Sequence, residues 1–186
     1  MPANKACFLD RDGVLIEEKD YLCDPDGVVL CDRAEEIFKH LRSRGYKIVL
    51  ISNQAGIAKG YFKEEQLFAV QKRLDELLAK FGEKLDGVQY CYHHPKGVIP
   101  EYTMTCNCRK PAPGMILRAA EELDIDISQS VMIGDRVTDI QAGINAGCRA
   151  VAMLRTGHGW KEDLSTVSAP VLDAPDLYTA VMKLIP

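Results

Sequence analysis

Short apolar runs alternate along this chain with amphipathic stretches, and this alternation is the feature that most constrains the fold. Strand-like runs cover, in order, residues 5–9, 46–51, 87–92, 131–134 and 150–154. Apolar residues at three- and four-residue spacing predict helices over 33–44, 63–81, 113–123 and 138–146, and a last helix within 161–186. This order predicts an α/β fold of three layers, in which helices cover both faces of a central, mostly parallel sheet.

Length and composition restrict the class of protein further. A chain of 186 residues with 47% hydrophobic and 27% charged residues is typical of one compact domain, expected here over 1–186. Its apolar runs are far shorter than the roughly 20 residues that cross a bilayer, and residues 1–8 do not resemble a secretory signal. We therefore expect a cytoplasmic monomer with no membrane partner. A net charge of -4 gives no general attraction for nucleic acid, so any anion must be bound by local groups.

Polar residues follow several of the predicted strands at their carboxyl ends. Asp10 and Asp12 come after the first strand, Ser52 after the second and Asp135 after the fourth. Because ligands of open parallel sheets bind beyond the carboxyl ends of the strands, these side chains should meet. An isolated Asp-x-Asp pair is more often a turn cap, but clustered carboxylates suit a Mg²⁺ ion. The hydroxyl of Ser52 and the ammonium of Lys110 would suit a phosphoryl group.

Cysteine and histidine residues form a second cluster in the sequence. Seven cysteines, an odd number, disfavour a complete disulfide framework. The predicted ligands of a closed, structural Zn²⁺ site, in a loop insertion at about 91–108, are Cys91, His93, Cys106 and Cys108. We favour His93 over His94 because Cys-x-His mirrors Cys-x-Cys, although His94 could replace it and the cysteines could instead be buried small side chains. A zinc loop would fix the direction of the adjacent Arg109 and Lys110.

Four motifs resemble, in order and spacing, those of the haloacid dehalogenase (HAD) phosphatase superfamily. They are Asp10-Arg-Asp-Gly-Val14, Ser52-Asn53, Lys110-Pro111, and Gly134-Asp135 with Asp139. The resemblance covers residues 7–148 and implies a Rossmann-like HAD fold. The sequence leaves no room for a large cap domain between Asp12 and the helix at 33–44, so residues 17–26 would form only a short flap.

The resemblance also implies Mg²⁺-dependent hydrolysis of a phosphomonoester in two steps. Asp10 would attack phosphorus and form an aspartyl phosphate, and Asp12 would protonate the leaving alkoxide and then activate water. Mg²⁺ would be held by Asp10, the Asp12 carbonyl and Asp135, while Asp139 would orient Lys110. The residues expected to hold the phosphoryl oxygens are Ser52, Asn53 and Lys110.

The zinc loop and the stretch 53–61 are similar to the branch of the superfamily that acts on small sugar bisphosphates, which implies a heptose bisphosphate substrate. Histidinol-phosphate phosphatases typically have Asn-Gln-Asp-Gly where this chain has Asn53-Gln-Ala-Gly56. The missing carboxylate favours a bisphosphate, which prefers cations such as Lys59, over an aminium substrate. The further residues expected to contact substrate are Arg109, Gln54, Ala55, Glu18, Tyr21 and Arg136. Alternatives are a histidinol-phosphate or other sugar-phosphate phosphatase and, outside enzymes, a zinc-knuckle binding module.

Overall fold

A computed structural model describes residues 4–186 and shows a six-stranded sheet covered by five helices in that part of the chain. The strands are β1 (Lys5–Leu9), β2 (Tyr46–Asn53), β3 (Gly87–Cys91), β4 (Val131–Gly134), β5 (Ala150–Leu154) and β6 (Leu172–Ala174). The helices are α1 (Ala34–Ser43), α2 (Glu64–Ala79), α3 (Gly114–Leu123), α4 (Val137–Ala146) and α5 (Leu177–Leu184). The strand order is β3-β2-β1-β4-β5-β6, and all the pairings are parallel. The predicted α/β sheet is therefore confirmed.

The centre of the sheet lies between β1 and β4. After β1 the chain moves to β2 on one side, and it later returns to place β4 on the other side of β1. The backbone N–H of Asp10 continues the β1–β4 pairing by donating to the carbonyl of Ile133 at 3.1 Å. Such a reversal of strand order opens a crevice at the carboxyl ends of the two strands. Asp10, after β1, and Asp135, after β4, both lie at this crevice.

The sheet is buried on both faces, which explains why its strands are nearly continuous apolar runs. Alternate residues of β1 point to opposite sides: Cys7 and Leu9 pack in one core with residues of α1, α2 and α5. Ala6 and Phe8 pack in the other core with residues of α3 and α4. All four of these side chains are fully buried. The fold therefore has the three layers that the sequence predicts.

The edge strand β6 was not predicted from the sequence. A terminal helix is confirmed as α5, but residues 172–174 before it pair with 152–154 of β5. This strand has three residues, and its middle position, Asp173, is exposed, so it has no apolar run of its own. Edge pairing of this kind depends on the neighbouring strand and leaves little local signal.

The segment between β1 and α1 is short and folds against the carboxyl end of the sheet. Residues 10–33 contain one 3₁₀ turn, Pro25–Gly27, and two isolated bridges in which Ile16 takes part. Within residues 4–186, therefore, no large cap domain covers the crevice. None of the helices in this part of the chain has both the length and the apolar character needed to cross a membrane.

Candidate active site

A cavity of about 430 Å³ opens at the carboxyl edge of the sheet, over the crevice between β1 and β4. The predicted site residues that line it are Asp10, Asp12, Glu18, Tyr21, Ser52, Asn53, Gln54, Ala55, Arg109, Lys110 and Arg136. Three residues that were not predicted from the sequence also line it, namely Thr138, His158 and Glu162. His158 and Glu162 belong to the loop after β5, a position that parallel strands could have indicated, but a lone histidine and glutamate carry no motif.

Lys110 forms the inner wall of the cavity and neutralises two carboxylates. Its ammonium lies 2.8 Å from Oδ1 of Asp10 and 2.6 Å from Oδ1 of Asp139, and it donates to the Ile51 carbonyl at 2.7 Å. The side chain is 2% exposed. Burial disfavours the charged form, but Asp10 and Asp139 outweigh it and raise the pKa of the Lys110 ammonium. The cation at this position is therefore permanent at neutral pH.

Asn53, at the end of β2, fixes the loop that carries Lys110. Its side-chain nitrogen donates to the Lys110 carbonyl at 3.1 Å, and its side-chain oxygen accepts the Lys110 N–H at 3.0 Å. Both polar atoms of the Asn53 amide are thus engaged with backbone. In this structure Asn53 holds the lysine loop, and its predicted contact with phosphoryl oxygens stays a prediction.

Asp135 lies beneath the cavity floor and is fully buried. Its Oδ2 accepts the backbone N–H of His158 at 2.7 Å, whereas its Oδ1 has no hydrogen-bond partner among the described residues. Burial, and then the carboxylates of Asp10 and Asp139, raise the pKa of Asp135 to about 8. Gly13, with a φ of +77°, packs so closely that a β-carbon there would collide with the Asp135 carboxylate.

The three carboxylates form a site whose chemistry fits a hard divalent cation. Asp10, Asp135 and Asp139 each offer an oxygen, and these atoms lie within 4.8 Å of one another. A buried carboxylate oxygen without a partner destabilises the fold unless a cation or a hydrogen-bond donor contacts it. Oxygen-only ligation of this kind suits Mg²⁺. Because Asp139 is already paired with Lys110 and accepts the Arg136 N–H at 2.9 Å, Asp135 is the carboxylate of the three that keeps a buried oxygen without a hydrogen bond or an ion pair among the described residues.

Asp12 lies on the cavity wall beside Asp10, within a chain of hydrogen bonds. The Gln54 side-chain nitrogen donates to Oδ2 of Asp12 and to the Ser52 hydroxyl, both at 3.0 Å. Arg11 contacts Asp12 from the opposite, buried side. Ser52, predicted to hold phosphate, is therefore linked through Gln54 to the predicted acid–base residue.

The predicted zinc ligands converge in the loop that follows β3. The sulfur atom of Cys108 is 3.2 Å from those of both Cys91 and Cys106, and it is 3.4 Å from Nδ1 of His93. His94 is turned away, since its Nδ1 accepts the N–H of Lys96 at 3.0 Å. Three thiols and one imidazole whose ligand atoms lie within 4.8 Å of one another form a donor set of the kind that holds structural Zn²⁺.

The rim of the cavity includes Lys59 and Tyr21, and the ring of Tyr61 packs on Tyr21 without lining the cavity. Lys59 donates to the Tyr21 hydroxyl at 2.6 Å, and the ring of Tyr21 meets that of Tyr61 edge to face at 4.7 Å. Tyr21 has a left-handed backbone with a φ of +58°, which is unusual for a bulky residue and places its ring at this rim. Opposite, His158 lies 3.2 Å from Glu18. The rim therefore combines a cation, hydroxyls and acidic groups around the entrance.

This arrangement, with an aspartate pair after β1, a buried lysine and an acidic floor after β4, defines the HAD class of α/β phosphatases. The family model of HAD-hydrolase-like proteins matches residues 107–180. The chain is 42% identical over 171 residues to the D-glycero-β-D-manno-heptose-1,7-bisphosphate 7-phosphatase of Haemophilus influenzae, covering 92% of each chain. It is 43% identical over 159 residues to the protein of that name from Pasteurella multocida, covering 86% of each.

A solved structure is similar over nearly the full length. The crystal structure of D,D-heptose 1,7-bisphosphate phosphatase from B. bronchiseptica, complexed with magnesium and phosphate, has 31% sequence identity and a TM-score of 0.83, covering 97% of each chain. The chain belongs to this heptose-bisphosphate phosphatase family of HAD hydrolases and is a phosphoric monoester hydrolase. The resemblance inferred from the four motifs is confirmed.

Proposed function

We propose that this enzyme removes the 7-phosphate of D-glycero-β-D-manno-heptose 1,7-bisphosphate. The observation that carries the proposal is the distribution of cations in the cavity. Lys110 lies at its inner end beside Asp10, and Arg109, Arg136 and Lys59 line the same cavity. A sugar carrying two phosphates could place one at Lys110 and the other near these further cations. The names of the relatives from Haemophilus influenzae and Pasteurella multocida support this substrate and its β anomer.

Asp10 would act as the nucleophile. Its Oδ1 is paired with Lys110, and among residues 4–186 nothing donates a hydrogen bond to Oδ2, which leaves that oxygen available to attack phosphorus. The new bond joins Oδ2 to phosphorus as the bond from phosphorus to the sugar oxygen breaks. Lys110 would neutralise the phosphoryl oxygens, and Ser52 would donate its hydroxyl to one of them.

Asp12 would carry the protons in both steps. It would give a proton to the departing sugar alkoxide, and the resulting carboxylate would then take a proton from the water that hydrolyses the aspartyl phosphate. Mg²⁺, held by Asp10, the Asp12 carbonyl and Asp135, would supply positive charge to the transferring phosphoryl group. Asp139 would keep Lys110 in place through their ion pair.

The Cys91, His93, Cys106 and Cys108 cluster would hold a structural Zn²⁺ ion and so direct Arg109. The Arg109 guanidinium donates to the carbonyl of His93 at 3.2 Å, which ties it to one of the proposed ligands. From there Arg109 would contact the phosphate that is not cleaved, while Glu18, Tyr21, Gln54 and Ala55 would face the sugar. A single domain over 1–186, a monomeric state and a cytoplasmic location stay predictions.

The test is phosphate release, in the presence of Mg²⁺, from a panel of substrates. The panel contains the α and β heptose 1,7-bisphosphates, fructose 1,6-bisphosphate and histidinol phosphate, and ³¹P NMR identifies which phosphate leaves. We expect the β heptose bisphosphate to give the highest kcat/KM, with loss of the 7-phosphate. A preference for histidinol phosphate would contradict the substrate while leaving the chemistry intact.

Variants test the chemistry itself. Asp10→Asn should abolish phosphate release from every member of the panel while leaving the circular dichroism spectrum unchanged. Asp32→Asn is the matched control, because Asp32 is exposed and lies outside the cavity. Substantial turnover by Asp10→Asn would show that another group attacks phosphorus.

A further inference from the structure

Arg11 lies between the two catalytic aspartates in the sequence, yet it cannot reach the cavity. Its side chain is 0% exposed, and it is absent from the cavity lining. A buried guanidinium destabilises the folded state unless it is paired and hydrogen-bonded. The buried guanidinium of Arg11 therefore needs a group of opposite charge beside it.

That partner is the carboxylate of Asp12. The Arg11 Nε donates to Oδ1 and Oδ2 of Asp12 at 3.2 and 3.1 Å, and a terminal nitrogen donates to Oδ1 at 3.0 Å. The same terminal nitrogen is 2.9 Å from Oδ2. Among the described residues, Asp12 is the carboxylate that forms an ion pair with Arg11. A planar guanidinium that meets both carboxylate oxygens fixes the position and the plane of the carboxylate together.

Groups outside the cavity also contact Arg11, although its second terminal nitrogen, Nη1, is buried and has no hydrogen-bond partner among the described residues. The centre of the Tyr90 ring is 5.9 Å from the guanidinium carbon, and the Tyr90 hydroxyl is anchored on Gln71 at 2.5 Å. The Arg11 carbonyl accepts the N–H groups of Leu15 and Ile16, both at 3.0 Å. Side chain and backbone are thus both constrained by groups outside the cavity.

We propose that Arg11 is a positioning residue that acts through Asp12 in both proton transfers. The inference rests on the proposed function, because it takes Asp12 as the acid and base. Arg11 donates to the Asp12 carboxylate from the buried side, and Gln54 donates to it from the cavity side. Together they would hold the carboxylate in the orientation that faces the leaving oxygen in the first step and the attacking water in the second. Proton transfer requires hydrogen-bond distance and alignment, so a carboxylate free to rotate would lose much of the benefit.

The dependence of the rate on the leaving group distinguishes this role from a structural one. An aryl oxide leaves without help from an acid, whereas an alkoxide needs a proton as the bond to phosphorus breaks. The Arg11→Met variant should therefore lose on the order of 10²-fold in kcat/KM with alkyl phosphates, but less than about tenfold with p-nitrophenyl phosphate. Because the second step also needs Asp12, the variant should show a burst of p-nitrophenolate equal to the enzyme concentration.

A double-mutant cycle with Asp12→Asn supplies an independent readout. If Arg11 acts through Asp12, the Arg11→Met/Asp12→Asn enzyme should be about as active as Asp12→Asn alone. The matched control is Arg42→Met, which breaks ion pairs with Glu83 and Asp86 away from the cavity. That control should leave the ratio of alkyl to aryl rates unchanged.

The outcomes separate the two proposals. A loss of equal size for alkyl and aryl esters, no loss, or additive effects in the cycle would overturn the positioning role alone. If the wild-type enzyme hydrolysed no ester, the proposed function would fail first and the inference with it. If Arg11→Met does not fold, Arg11→Lys replaces it: lysine keeps the charge but not the two-pronged contact, and the same selective loss on alkyl phosphates is expected.

Discussion

Replacing the buried Asp135 by asparagine should stabilise the metal-free protein while abolishing its activity. Asp135 is fully buried, and burial with the nearby Asp10 and Asp139 carboxylates raises its pKa from 3.8 to about 8. In Asp135→Asn the amide oxygen can still accept the His158 N–H, which Oδ2 accepts now. The amide nitrogen would take the place of Oδ1, which has no hydrogen-bond partner among the described residues.

The size of the effect follows from the difference in pKa between the folded and unfolded chain. Since the folded-state pKa is the higher one, the carboxyl group favours folding fully below pH 3.8, and this contribution is lost as the pH rises to about 8. Each pH unit in this range lowers the free energy of unfolding by about 1.4 kcal/mol. The penalty is then at most about 4 kcal/mol at pH 7 and about 2 kcal/mol at pH 5. An asparagine does not ionise and carries no such penalty.

The assay is thermal unfolding without added magnesium, at pH 5 and pH 7. For a chain of this length 1 kcal/mol shifts Tm by roughly 2–4 °C, so Asp135→Asn should melt higher than the wild type, by a larger margin at pH 7 than at pH 5. Adding Mg²⁺ at about 100 times its Kd should stabilise the wild type by about 2.7 kcal/mol and leave the variant unchanged. Asp32→Asn, with an exposed side chain, should shift Tm little at either pH. A variant less stable than the wild type at both pH values would refute the reasoning.

Three further changes test other parts of the site. Lys110→Met should lower the free energy of unfolding by about 3–5 kcal/mol, measured in urea, because Asp10 and Asp139 then lack their cation. The control is Lys39→Met, because Lys39 is exposed, and equal losses of stability in the two variants would contradict this account. Cys106→Ser should lower the zinc content from about one equivalent towards zero by metal analysis, and retention of full zinc would remove Cys106 from the ligand set. Lys59→Met should raise KM about tenfold for a sugar bisphosphate but not for a sugar monophosphate, and equal changes for both would show that Lys59 does not bind the second phosphate.

The sequence by itself determined the alternating elements, the parallel sheet and the four motif positions. Each is a local property: the strands are continuous apolar runs because both faces of the sheet are buried, and polar residues must begin where burial ends. The convergence of Asp10 and Asp135 also followed from topology, since parallel strands end at one edge of the sheet. By contrast, β6 was missed because its three residues form a strand only through pairing with β5.

Tertiary structure alone decided how the side chains divide their work. Lys110 bridges Asp10 and Asp139, whereas Asp135 retains an unpartnered oxygen, and nothing in the motif separates these acidic residues. The burial of Arg11 against Asp12 likewise depends on packing by segments far apart in the chain. Pairing and burial of charges are set by distances between such segments, and electrostatic energies depend on those distances and on the local exclusion of water. A linear sequence specifies which groups are available, but the fold determines which of them meet.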